Sequence, residues 1–136
     1  MRRARGCAAL AVLALVAAGC GSAPPDLFEV QRSGEGPGAK LQMVVNDGGS
    51  VTCNGHTHTL NGDRLLRARE ITRELAKQAE LALELPPGAN TVLSYRVRLG
   101  AGTVAFADSS ADLPRSFSDL QLFTRDVAKQ VCGLSR

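Results

Sequence analysis

The chain has 136 residues, with sixteen Lys and Arg against thirteen Asp and Glu, four Cys, one Tyr and no Trp. Its net charge of +3 comes entirely from Arg2, Arg3 and Arg5; from Cys20 onward thirteen cations face thirteen carboxylates and the chain is neutral. A neutral chain this poor in aromatics lacks the basic, ring-interleaved surface that nucleic acid requires, so nucleic acid is not expected as a partner.

The chain begins with Arg2-Arg3-Ala4-Arg5, an apolar run from Cys7 to Ala18, and then Ala17-Ala18-Gly19-Cys20. A cationic start followed by about a dozen apolar residues suits a secretory signal. The run is too short to cross a bilayer, which takes ~20 residues. The closing tetrad resembles the bacterial lipobox, with Ala17 where Leu is commonest. That resemblance implies cleavage after residue 19 and a diacylglyceryl thioether on Cys20, the one covalent group expected; no other cofactor is expected. Two acyl chains anchor stably where one is marginal, so the expected location is the outer face of the cell membrane. The expected organisation is a signal over 1–19, a lipidated tether over 20–26 and one domain over 27–136. Six extended residues after Cys20 reach ~20 Å, which keeps that domain near the membrane.

Within the domain, Phe28 and Val30 alternate with Glu29 and Gln31, which predicts a half-buried strand over 27–33. Gly34-Glu35-Gly36-Pro37-Gly38 is a loop. Alternation resumes over 39–46, with Leu41, Met43 and Val45 inward. Asp47-Gly48-Gly49 is a hairpin signal, and 50–53 a short third strand. Asn54-Gly55 ends it, and the stretch to Gly62 reads as irregular. The three-to-four spacing of Leu65 or Leu66, Ile71, Leu75 and Ala79 predicts a helix over 63–83, closed by Pro86-Pro87-Gly88. Strands follow over 91–99, with Leu93, Tyr95, Val97 and Leu99 on one face, and over 103–108. A last helix over 117–132 carries Phe117, Leu120, Phe123 or Thr124, Val127 and Val131, with Ser116 and Asp119 spaced as a capping box. The expected fold is α+β: an antiparallel sheet of four to five strands with two helices packed on one face, in the order ββ(β)αββα.

With Cys7 in the signal and Cys20 lipidated, Cys53 and Cys132 remain, and outside the cytoplasm such a pair favours a disulfide. Cys53-Asn54-Gly55-His56-Thr57-His58 places three borderline ligands at metal-like spacing. No fourth ligand is near and Cys53 is claimed by Cys132, so His56 and His58 carry only an alternative reading, as a metal or small-ligand site or the centre of an unrecognised enzyme. Ser109-Ser110 between Asp108 and Asp112 reads as a turn after a strand. No nucleophile elbow, zinc-protease helix or phosphate loop is present, so the chain is not expected to be an enzyme. Arg96 and Arg98 lie on the outward face of their strand. They read either as a recognition face for a protein partner or as a solvated face with cross-strand pairs.

Phe28-Glu29-Val30-Gln31-Arg32-Ser33-Gly34 with Gly38, Leu85-Pro86, Tyr95-Arg96-Val97, Val104-Ala105-Phe106-Ala107-Asp108 and a Pro before the final helix resemble the emfourin pattern over residues 28 to about 131. That family comprises small bacterial proteins of paired strands and helices, named for an inhibitor of thermolysin-like metalloproteases. The lipid anchor, the third strand and the Cys53–Cys132 pair depart from it. More closely, the chain is similar to lipoproteins of actinobacteria. The resemblance implies protease inhibition, and no inhibitory residue is carried across. The expected function is a monomeric, membrane-anchored binding module with an envelope or extracellular protein partner.

Overall fold

In a computed structural model of the chain, which describes residues 25–136, four consecutive antiparallel strands open the domain. They are β1 (Asp26–Gly34), β2 (Leu41–Asn46), β3 (Ser50–Cys53) and β4 (His56–Thr59). Helix α1 (Gly62–Glu80), strands β5 (Leu93–Leu99) and β6 (Gly102–Ala107), and helix α2 (Arg115–Gln130) complete it. The sheet runs β4-β3-β2-β1-β5-β6, all antiparallel, so β1 sits in the middle, bonded to β2 and β5. The signal, the Cys20 lipidation point and residues 21–24 of the tether lie outside the described residues.

The α+β architecture is the expected one, with six strands rather than four to five. The added strand is β4, in the stretch read as irregular. Asn54 and Gly55 do not end pairing but reverse it, at φ 47° and 86°. Positive φ at both centres is what a two-residue hairpin turn needs, because its twist then matches that of the strands. Asn54 also closes over β2: its backbone N–H donates to Gln42 O and its side-chain oxygen accepts from Gln42 N, both at 2.9 Å.

Period-two alternation sets three rows across the inward face. Cys53, Met43, Val30, Val97 and Val104 form the middle row, flanked by Val51, Val45, Phe28 and Leu99 on one side. On the other side lie Leu41, Arg32, Tyr95 and Phe106. All of these are buried, Arg32 among them.

Both helices cover that face. Asn61 caps α1, its side-chain oxygen accepting from Arg64 N at 3.0 Å, and Ala68, Ile71, Leu75 and Ala79 form the buried stripe. Helix α2 starts two residues before its predicted position, directly after Pro114. Ser116 therefore lies inside the helix, and its hydroxyl is buried without a partner rather than capping. Phe117 stacks on Phe106 of β6 with centroids 4.6 Å apart, and Phe123 meets Phe28 of β1 edge-on at 5.9 Å. Just past the helix, Cys132 is bonded to Cys53 of β3. Helix α2 thus crosses the sheet from β6 to β3. Arg64–Asp126 (2.8 Å) and Arg67–Asp119 (3.0 Å) link it to α1. Such partly exposed pairs contribute ~0–1 kcal/mol each, against about 1.5–3 kcal/mol for each large apolar side chain buried. The apolar stripes, not the ion pairs, hold the helices down.

The Cys53–Cys132 bond spans 79 positions of sequence, with the two Cα atoms 6.2 Å apart. Loop-closure arithmetic on that span gives about 4.5 kcal/mol, and native cross-links of small secreted domains commonly contribute about 2–5 kcal/mol. The double change Cys53→Ser, Cys132→Ser is expected to lower unfolding free energy by about 2–4 kcal/mol in urea titration. An unchanged midpoint would remove the cross-link from the stability argument.

Candidate functional site

With both helices on one side, the opposite face of the sheet is open. Glu29 and Gln31 of β1, Gln42 of β2, Thr52 of β3, Arg96 and Arg98 of β5 and Thr103 of β6 point there by the same alternation that turns Phe28 and Val30 inward. Glu29 is the hub. Its carboxylate accepts from Gln42 Nε2 at 3.1 Å, from Gln31 Nε2 at 3.3 Å and from the Arg98 guanidinium across the β1–β5 ladder. These bonds, Gln42's foremost, hold the Glu29 carboxyl below the ordinary carboxylate range. Arg96 reaches Glu84 at 3.5 Å, beside β6. Both predicted recognition cations are therefore ion-paired, and both remain more than half exposed, at 57% and 74%. A depression of about 400 Å³, lined by Gln31, Ser94, Arg96, Leu85, Pro87 and Ala105 among others, lies at the end of this face.

The remaining candidates separate. His56 and His58 stand on the same face of β4, opposite Cys53 and Val51 respectively. The Cys53 sulfur is committed to Cys132. Among the described residues no three His, Cys, Asp or Glu side chains converge on a metal-sized site. Ser109 and Ser110 follow β6, at the opposite edge of the sheet from β4, so neither histidine can serve them as a base. Their hydroxyls have local work instead. Ser109 Oγ accepts from Gly88 N at 3.1 Å and Ser110 Oγ from Ala107 N at 2.9 Å. Asp108 accepts from Val92 N and Leu93 N, one with each oxygen, which starts β5. The seryl-aspartyl loop is turn chemistry.

Arg32 was not among the predicted site residues. Its parity with Phe28 and Val30 was the available signal: a third inward position on β1, occupied by a cation. Arg32 is 3% exposed; its Nε donates to Ala39 O at 3.1 Å, and one amino group donates to Gly38 O at 2.8 Å and, at 3.0 Å, to a carboxylate oxygen of the last residue, Arg136, with the Tyr95 hydroxyl a further partner. Burial pushes its pKa down and that of neighbouring Tyr95 up, each partly offset by the other.

Among the described residues no helix is long and apolar enough to cross a membrane. Comparison with known families, curated proteins and solved structures finds no match for this chain.

The Glu29 network has a pH signature. A carboxyl held below its unfolded value stabilises the fold above that value, and the contribution is lost as pH falls through the folded one. Taking 4.5 as the ordinary value, Glu29→Gln is expected to flatten the decline of Tm below pH 4.5. An acid limb identical to that of the parent would show that Glu29 titrates normally.

Proposed function

We propose that this chain is a non-catalytic binding module, tethered by lipidated Cys20 to the outer face of the cell membrane, which presents the open face of its sheet to a protein partner. The observation that carries the reading is the one-sided architecture. Helices cover one face of the six-stranded sheet short of β4 and leave the other polar and studded with charges held by cross-strand bonds. Side chains oriented on a rigid sheet lose little freedom when a partner docks, which is where binding energy is otherwise spent. Charges of both signs at fixed positions supply register and encounter rate. The Cys53–Cys132 bond suits an oxidising compartment. The sequence resemblance to emfourins makes a thermolysin-like metalloprotease the first partner to try.

The anchor and the face are tested separately. Cys20→Ala is expected to release the protein from membranes and to abolish lipid labelling; continued membrane association would place the anchor elsewhere. The full lipidated chain is expected to capture an envelope protein, or to slow a thermolysin-like protease at stoichiometric amounts. Reversing Arg96 and Arg98 to Glu should weaken that interaction, while His56→Ala, His58→Ala leaves it intact. Loss of binding in the histidine variant, with the arginine variant unaffected, would favour the metal or small-ligand alternative and sink the sheet-face reading.

A further inference from the structure

On the helix side, a second concave site lies beside α2, over the Arg32 and Tyr95 end of the third inward row. Gln121, Arg125 and Lys129, spaced by four, form one ridge of α2. Facing them across a cavity of about 440 Å³ are Arg32 and Tyr95 on the sheet, the start of β5, and the segment carrying Ser135 and Arg136. That volume is in the range of small-ligand sites, ~300–1,000 Å³.

The charge of this cleft is unbalanced. Arg32, Arg125, Lys129 and Arg136 line it, and the carboxylates of α2 are turned elsewhere, Asp119 to Arg67 and Arg115, Asp126 to Arg64. Asp108, the one side-chain carboxylate lining the cavity, spends its two oxygens on the Val92 and Leu93 amides. Among the described residues none of the four cations is ion-paired to an Asp or Glu side chain, and Arg32 alone meets a carboxylate, that of the last residue, at 3.0 Å. A second, independent observation points the same way: the Gln121 side-chain nitrogen is withdrawn from solvent and donates to nothing. The other wall is apolar. Val92 and Leu122, 47% and 54% exposed, stand at the cavity with Leu93 beside them.

From these features we infer that the cleft binds a soluble organic anion with an apolar body. The anionic head accepts from Arg32, Arg125, Lys129 and the orphaned Gln121 amide, and the body lies on Val92, Leu93 and Leu122. Guanidinium groups suit such a head because their fixed forks match carboxylate geometry. The site stands at the far end of β1 from Asp26. Six residues of strand at ~3.3 Å each place it ~20 Å from where the tether begins, which favours a solution ligand over a membrane headgroup. It is independent of the sheet-face reading, since it opens on the opposite side of the sheet.

The test uses the full chain in phosphatidylcholine nanodiscs, titrated by calorimetry with 4-phenylbutyrate, 4-phenylbutanol and 4-phenylbutylammonium. These three share one apolar body and differ in head charge. Saturable binding is expected for the carboxylate, with the alcohol and the cation at least about tenfold weaker, as charge-assisted hydrogen bonds imply. Arg125→Glu with Lys129→Glu should weaken phenylbutyrate at least about tenfold while lowering Tm only slightly, because both side chains are exposed and outside every side-chain ion pair of the fold and only the last-turn charge of Lys129 is lost to the helix. Arg32→Gln should weaken it too, and the exposed pair decides the matter if that variant fails to fold. Equal binding of all three probes, or binding indifferent to the double reversal, would overturn the assignment. So would glycerol phosphate binding as tightly as phenylbutyrate, which would make the cleft a reader of phosphate headgroups.

Discussion

Helix α2 lies across the strands instead of along them, and it is held at both ends. At its start Phe117 stacks on Phe106, which stacks on Tyr95 at 5.0 Å. Past its end Cys132 is bonded to Cys53. Three aligned rings add about 0.5–1.5 kcal/mol per contact beyond the area they bury. The covalent end removes freedom from the unfolded chain rather than adding contacts to the folded one. Between these points Phe123 meets Phe28 at the opposite flank of the inward face, so the helix runs obliquely over the three rows. That path decides what is covered. All three rows are buried; Phe117 of α2 covers Phe106 of the third, and the cleft opens beside the Arg32 and Tyr95 of that row.

Much of this was legible in the strands' alternation. Leu41, Met43 and Val45, and Tyr95, Val97 and Leu99, face inward as their spacing demands, and Cys53 is bonded to Cys132, the pair expected. The failures have physical causes. Strand β4 reads His-Thr-His-Thr, with no apolar member, because an edge strand beyond the helices has little to bury. Its turn, Asn54-Gly55, is the stronger signal, and it was outweighed by the composition that follows it. Arg32 was passed over because charge argued outward while parity argued inward, and parity prevailed through two backbone carbonyls and the carboxylate of the last residue. The cleft itself could not be read from sequence. Arg32, Arg125 and Arg136 are brought together only by the crossing angle of α2 and the return of the last segment.

The two edges of the sheet are managed differently. Beside β6, residues 83–85 lie parallel, with Leu85 N donating to Ala105 O at 2.9 Å and Ala105 N to Leu83 O at 3.1 Å, so that edge is occupied. At the other side β4 is four residues long and mostly exposed, bearing Thr and His. Short polar edges offer a poor template for another chain. The unpaired rim of the sheet is therefore a weak route to association, and the broad faces are left as the surfaces on which recognition can act.

The central position of β1 matters mechanically. Whatever is joined ahead of Asp26 pulls on the strand bonded along both sides, to β2 through Asp26–Asn46 and Phe28–Val45, and to β5 from Phe28–Leu99 to Gly34–Leu93. Traction along that strand loads two hydrogen-bonded ladders in shear, so many bonds resist together. An edge strand pulled crosswise would surrender them one at a time. A domain dragged by its amino end against a bound partner thus takes the load through its most strongly held element.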